Sequence, residues 1–332
     1  MFFLHRSVKT VAATAVLTAA VTTPAAHARE TDQVLRVYND NIENLVMNNA
    51  DGSCTRISGP AHLTSMLVDD SGRTGTSGVR APDLLIVQQV RGIGQARAYA
   101  DQLSAKFGYP AGTFKAIVAW DDPQPWGGSH HCDRQSLGDL KKRQTNGIIY
   151  NTRTLKLAET SKYWSAGWLK PGTSYAGGAG CTLYKPPSND DGAAYAYKWK
   201  RTSAIAARFT MRATGTPVFA ASMHLPQENR RNACAGPGDT GLAGSGIRLG
   251  ADARRLMNAS TIRVVGVDAN RTGIARTTLG GYGMTGYGAK PTLGSRKIDY
   301  LFVKGAVRPS PVDHTVNSTK SNHRALYAFI TV

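Results

Sequence analysis

The chain has 332 residues, 41% of them hydrophobic and 19% charged, and its 40 Lys and Arg against 22 Asp and Glu give a formal charge of +18 at pH 7. Such an excess builds a positive surface field that concentrates polyanions (nucleic acids, anionic lipid surfaces, teichoic-acid-like polymers) without choosing among them. Past the N-terminal leader no apolar run reaches the roughly 18 residues a spanning helix needs, so a helical membrane domain is excluded.

The N-terminus reads as a secretory leader. His5, Arg6 and Lys9 make a basic start, Val11 to Val21 is a short apolar run broken by threonines, and Ala26-His27-Ala28 is a small-x-small cleavage site. Cleavage after Ala28 leaves a signal peptide, 1–28, and a single domain, 29–332, and the mature protein is expected outside the cell as a monomer. It removes Arg6 and Lys9 and no acidic residue, so the basic excess persists. A membrane anchor is the poorer reading, because Pro24 closes the apolar run too early.

Strand-like stretches then recur. Val34 to Tyr38 precedes a long, partly polar connection, and Leu84 to Val90 has the length and continuous apolar character of a buried strand. A helix is expected from Gly94 to Phe107, where Ala96, Tyr99, Leu103 and Phe107 share one face and Gly108 supplies a stop. Further strands are expected at Phe114 to Trp120, Gly147 to Tyr150, Ile205 to Thr210, Val218 to Ser222, Arg263 to Val267, Ile298 to Val303 and Leu326 to Val332. A second helix, Ile247 to Asn258, presents Leu249, Ala253, Leu256 and Met257. Helices interspersed among sheet strands indicate a layered α/β domain. Asp121 to Asn146, Pro171 to Gly192 and Pro226 to Gly246 are loops by composition.

Four cysteines, Cys54, Cys132, Cys181 and Cys234, are an even number in an exported chain, so two disulfides are expected, with all three pairings open. None lies in a Cys-x-x-Cys cluster, which disfavours zinc. His130-His131-Cys132 reads as an exposed loop rather than a metal fragment. Gly92-Ile93-Gly94 after a strand invites a dinucleotide reading, but Arg97 stands where the third glycine belongs. Lys141-Lys142-Arg143, Arg230-Arg231 and Arg254-Arg255 read as phosphate contacts or, more ordinarily, solvated faces.

Polar chemistry gathers at strand ends: Asn41, Pro82 to Val90, Ser222-Met223-His224-Leu225-Pro226, Gly266-Val267-Asp268-Ala269-Asn270, Arg296-Lys297-Ile298-Asp299-Tyr300 and Ser321-Asn322-His323-Arg324. In order and spacing these segments resemble the endonuclease/exonuclease/phosphatase superfamily, which includes secreted DNase I-like enzymes. The resemblance implies a four-layer α/β sandwich, two packed mixed β-sheets flanked by helices. The chain departs from the pattern twice. Gln89 stands where the family has a metal-binding glutamate, and Ser321-Asn322-His323 stands for Ser-Asp-His.

Phosphodiester hydrolysis needs an activated water, charge stabilisation at the phosphoryl oxygens and help for the leaving oxygen. His323 is the candidate acid/base, with Asp299 fixing its tautomer. By resemblance Asp268 positions or activates the water, Asn270 donates to a phosphoryl oxygen, and His224 is a phosphate contact or leaving-group acid. Asn41 and Asn322 complete the phosphate cradle, and Gln89 with Asn41 would be the ligands of a divalent cation, Mg²⁺ or Mn²⁺. Amides at Gln89 and Asn322 keep the shape of the lost carboxylates but remove two charges, which weakens that ion. Two expectations follow: a secreted nuclease-like phosphodiesterase with an altered site, acting on nucleic acid, or an inactive relative that binds nucleic acid or another polyanion. A metal-free hydrolase of non-phosphate substrates is a distant third.

Overall fold

The structure is a computed structural model that describes residues 34–69, 78–123, 125, 129–164, 203–225, 249–270, 279, 282–287, 291–307, 315–316 and 321–332. The leader, the loops expected over Pro171 to Gly192 and Pro226 to Gly246, Cys181, Cys234 and Arg230-Arg231 lie outside these residues.

In chain order the elements are β1 (Val34–Asn41), β2 (Val46–Asn48), β3 (Cys54–Arg56), α1 (Gly59–Met66), β4 (Leu84–Val90), α2 (Ile93–Lys106), β5 (Phe114–Val118), α3 (Gly138–Lys142), β6 (Thr145–Asn151) and β7 (Leu155–Trp164). There follow β8 (Ser203–Met211), β9 (Pro217–His224), α4 (Ala251–Asn258), β10 (Ile262–Asp268), β11 (Thr285–Tyr287), β12 (Asp299–Lys304), β13 (Ala306–Val307), β14 (Thr315–Val316) and β15 (Ala325–Thr331). One mixed sheet runs β13-β15-β1-β4-β6-β5, with β14 also on β15; the other runs β11-β12-β10-β9-β8-β7. They pack through β1, β4 and β6 against β8, β9, β10 and β12, with α1 and α2 covering the first sheet and α4 the second. The result is a four-layer α/β sandwich of two packed mixed sheets flanked by helices. Among the described residues no helix is long and apolar enough to cross a membrane.

The strands that face apolar neighbours on both sides are the apolar runs of the sequence. All seven residues of β4 are buried, as expected of a central strand covered by a sheet on one face and a helix on the other. In α2 the buried stripe is Ala96, Tyr99, Ala100, Leu103 and Ser104; Phe107 lies just past the helix end, partly buried, and Gly108 follows in the left-handed region.

Three differences from the expected elements have physical reasons. β7 was not expected: Lys156, Ala158, Thr160 and Lys162 are exposed along it, so a half-solvated edge strand shows little apolar signal. The connection after β1 contains β2, β3 and α1, and the Asp121 to Asn146 stretch contains α3 and the start of β6. Cys54 and Cys132 form a disulfide with 5.5 Å between Cα atoms, pinning β3 to the segment that leads into α3. That bond removes the thiolates a metal at His131 and Cys132 would need. His130 instead caps the short turn His131–Gln135, accepting from the Cys132 amide.

Candidate active site

Strand polarity gathers the polar strand ends at one edge of both sheets. β1 and β4 run parallel with Asn41 beside Gln88, and β9 and β10 run parallel with His224 beside Asp268, so four C-terminal strand ends lie together. β12 and β15 run antiparallel to β10 and β1, so their N-terminal ends return to the same edge, bringing Asp299 and, two residues ahead of β15, His323.

A buried polar bridge holds the sheets together behind this edge. Gln88 Nε2 donates to Asn39 Oδ1 at 2.8 Å and Ser222 Oγ at 3.3 Å, Ser222 Oγ donates to Val87 O, and Asn39 Nδ2 donates to Tyr300 O. Gly266 makes room for it, because a Cβ there would stand 2.2 Å from Asn39 Oδ1 and 2.6 Å from Ile86 Cγ2.

At the edge itself, Asn41 Nδ2 donates to Asp268 Oδ2 at 2.7 Å and lies 3.4 Å from His323 Nε2. The Asn41 amide is oriented by the Glu43 N–H, which donates to Oδ1. Asp268 Oδ1 accepts from Asn270 N, while Asp268 Oδ2 is 3.3 Å from His224 Nε2. The Asn270 amide nitrogen donates to Leu225 O and lies 2.7 Å from His224 Nε2. Asp299 Oδ2 is 2.8 Å from His323 Nδ1. Burial pulls the His323 imidazole down, but the charges of Asp299, Asp268 and Glu43 and the Asp299 hydrogen bond outweigh it and push its pKa up to about 10. At neutral pH His323 is therefore an imidazolium between two aspartates, with Nε2 4.0 Å from Asp268 Oδ2.

The structure thus brings Asn41, His224, Asp268, Asn270, Asp299 and His323 into one network. Gln89 and Asn322 lie beside it, each held differently from the expectation. Gln89 Oε1 accepts from Gln144 Nε2, and the Asn322 backbone N–H donates to Glu43 Oε2. The Ser321 hydroxyl donates to Asn41 O and accepts from His323 N, which seats the Ser321-Asn322-His323 segment on the end of β1.

Sequence reasoning missed Glu43, Asn44, Lys141, Gln144 and Thr292. Thr292 Oγ1 accepts from both Ile298 N and Asp299 N, and so sets where β12 begins. Glu43, Asn44 and Leu45 form a turn with φ of 47°, 59° and 56°, a left-handed conformation that non-glycine residues adopt only when surroundings impose it. Asn44 Nδ2 imposes it by donating to the carbonyls of Leu140, Lys141 and Arg143 at the C-terminus of α3. Glu43 is the first acidic residue after Asn41, and that was the available signal. Lys141, read as a phosphate contact or solvated charge, is neither exposed nor free: it is 5% exposed and binds Glu43 Oε1 at 3.0 Å. Its neighbours Lys142 and Arg143 pair with Asp133 and Asp122.

Ligand atoms of Asp268, Asp299 and His323 lie within 4.8 Å of one another, the span of a cation site. These residues do not fit a divalent ion. Asp299 Oδ2 already engages His323 Nδ1 at 2.8 Å, and the oxygens of Asp268 already accept from Asn41 and Asn270. On the other side, Gln89 Oε1 and both oxygens of Glu43 are engaged by Gln144, Lys141 and Asn322.

No family model and no curated protein matches the chain. The solved structures it resembles include proteins described as endonuclease/exonuclease/phosphatase family members. The human Nocturnin catalytic domain with bound sulfate anion shares 13% identity over 89% of this chain and 92% of that one, with a TM-score of 0.46. Truncated Caenorhabditis elegans TDP2 shares 12% over 90% and 98%, with a TM-score of 0.48. The endonuclease/exonuclease/phosphatase from Bacteroides vulgatus shares 14% over 90% and 98%, with a TM-score of 0.43. Likeness at these values is one of architecture, and the chemistry rests on the side chains of this chain.

Proposed function

We propose that this protein is a phosphodiester hydrolase acting on nucleic acid outside the cell. The observation that carries the reading is the Asp268 carboxylate and the His323 imidazolium, backed by Asp299, 4.0 Å apart where the two sheets meet. A base and a fixed positive charge side by side suit attack of water on an anionic ester. Asp268 accepts the proton of the water as its oxygen bonds to phosphorus. His323 Nε2 and Asn41 Nδ2, two nitrogens 3.4 Å apart, both donate to a phosphoryl oxygen whose charge grows as the water adds, and the leaving oxygen departs with the bonding pair and takes its proton from solvent.

The spacing favours one of two roles for His323. An in-line acid and base stand a hydrogen bond of about 3 Å outside the leaving and attacking oxygens, on opposite sides of phosphorus. Groups 4.0 Å apart cannot do that together, so His323 serves the phosphoryl oxygen and not the leaving group. Nucleic acid is the favoured substrate because a charge of +18, or +16 once Arg6 and Lys9 leave with the leader, supplies sequence-independent attraction to a polyphosphate, and the leader-like first 28 residues support an extracellular site of action.

The test is hydrolysis of DNA, RNA and bis(p-nitrophenyl) phosphate by the purified protein, with and without EDTA. Turnover that Asp268→Asn abolishes supports the reading. Salt-sensitive binding of DNA and RNA without cleavage of any substrate would replace it with that of a polyanion-binding protein.

A further inference from the structure

A chain of contacts runs between the two positions where the family resemblance expects metal-binding carboxylates. Gln144 Nε2 donates to Gln89 Oε1 at 3.1 Å and to Lys141 O at 2.9 Å. Lys141 Nζ donates to Glu43 Oε1 at 3.0 Å and to Val46 O at 2.8 Å, and Glu43 Oε2 accepts from Asn322 N at 3.2 Å. Lys141 and Glu43 are both buried, and the α3 segment that carries the lysine is clasped by the Asn44 side chain. Lys141 Nζ and Glu43 Oε1, 3.0 Å apart on two buried side chains, form an ion pair.

We propose that the Lys141 ammonium is a built-in replacement for a divalent cation at this corner, fixed to the chain and held by Glu43, so that the site takes up no metal between Gln89 and Asn322. Coulomb's law gives the reason. A second cation brought beside a buried ammonium is repelled strongly in a medium less polar than water, and the one carboxylate at the corner is already neutralised. Substituting amides at Gln89 and Asn322 alone would then be only half of the change. A site rebuilt with Gln89→Glu and Asn322→Asp still meets Lys141. The inference deepens the phosphodiesterase reading by fixing where the positive charge comes from, and it rests on that reading only for its purpose.

The experiment reads metal binding directly and needs no turnover. Mn²⁺ is titrated into the purified protein and followed by electron paramagnetic resonance, with Mg²⁺ titrated by calorimetry. The unaltered protein is expected to show no saturable site. Lys141→Met is expected to create one by leaving Glu43 uncompensated, and Glu43→Gln added to it should remove the site again. Gln89→Glu with Asn322→Asp should bind Mn²⁺ at least about ten-fold more tightly once Lys141→Met is added. Should the methionine variant fail to fold, Lys141→Gln keeps a donor for Glu43 and Val46 without the charge and carries the same expectation. Saturable Mn²⁺ binding by the unaltered protein with a midpoint unmoved by Lys141→Gln, or no gain in either folded variant, overturns the proposal. An inactive protein that nonetheless gains metal on losing Lys141 keeps the proposal and removes only the phosphodiesterase reading.

Discussion

Asp268 and Asp299 are direct cross-strand partners on β10 and β12. Like charges placed opposite one another destabilise a ladder, and both residues are buried. The arrangement holds because His323 enters from the other sheet with Nδ1 2.8 Å from Asp299 and Nε2 4.0 Å from Asp268. The imidazolium thus offsets the charge of the pair.

Removing that charge should show in turnover. His323→Gln keeps a side-chain donor but no charge, and phosphodiesterase activity is expected to fall about 10²- to 10³-fold, the usual cost of a lost transition-state donor. Asp299→Asn should act in the same direction through His323. Initial rates on bis(p-nitrophenyl) phosphate measure both, and full activity in His323→Gln would remove His323 from the reaction.

Stability should depend on pH through the same residue. Its folded pKa of about 10 lies above the ordinary 6.5, so the protonated form is favoured by folding. That contribution is fully present below pH 6.5 and is lost as pH rises through about 10. Glu43, lowered from 4.5, acts oppositely: its contribution is present above that value and lost as pH falls through the lowered one. Urea denaturation across the alkaline range should show a decline for the natural sequence and a flatter profile for His323→Gln. A decline of equal size in both assigns it to other groups.

Gly266→Ala tests the polar bridge between the sheets. The new methyl would meet Asn39 Oδ1 and Ile86 Cγ2, both held within the core, and a loss of about 1–3 kcal/mol is expected for such overpacking. Equilibrium denaturation measures it; an unchanged midpoint would show that the sheets separate freely enough to admit a methyl.

Replacing Cys54 and Cys132 by alanine removes a link between residues 78 apart in sequence. A loss of about 2–5 kcal/mol is expected. The segment leading into α3 should also lose protection from hydrogen exchange ahead of β4 and β10. Uniform loss across the chain would show that the bond constrains only the unfolded state.

The sheets were legible in the sequence wherever a strand is buried on both faces: the expected Leu84 to Val90 is β4, and Arg263 to Val267 differs from β10 by one residue at each end. β7 escaped because solvent meets alternate residues, and α1 because eight residues beginning Gly59-Pro60 carry little periodic signal. The strand-end residues Asn41, His224, Asp268, Asp299 and His323 could be picked out because each follows or precedes an apolar run. Lys141 could not. In a basic triplet within a glycine- and serine-rich stretch it reads as solvent-facing, whereas Glu43, Asn44 and Val46, some hundred residues earlier, hold it inward.

The network draws Asn41 from one sheet, His323 from the segment leading into that sheet's β15, and His224, Asp268 and Asp299 from the other. Neither sheet alone contains both the base and the charge opposite it. A partly unfolded state that kept each sheet intact but let them slide would retain its circular dichroism and lose its chemistry. On the proposed phosphodiesterase reading, activity is a gauge of how the sheets are docked, and inactivation by heat or denaturant should precede the loss of β-structure.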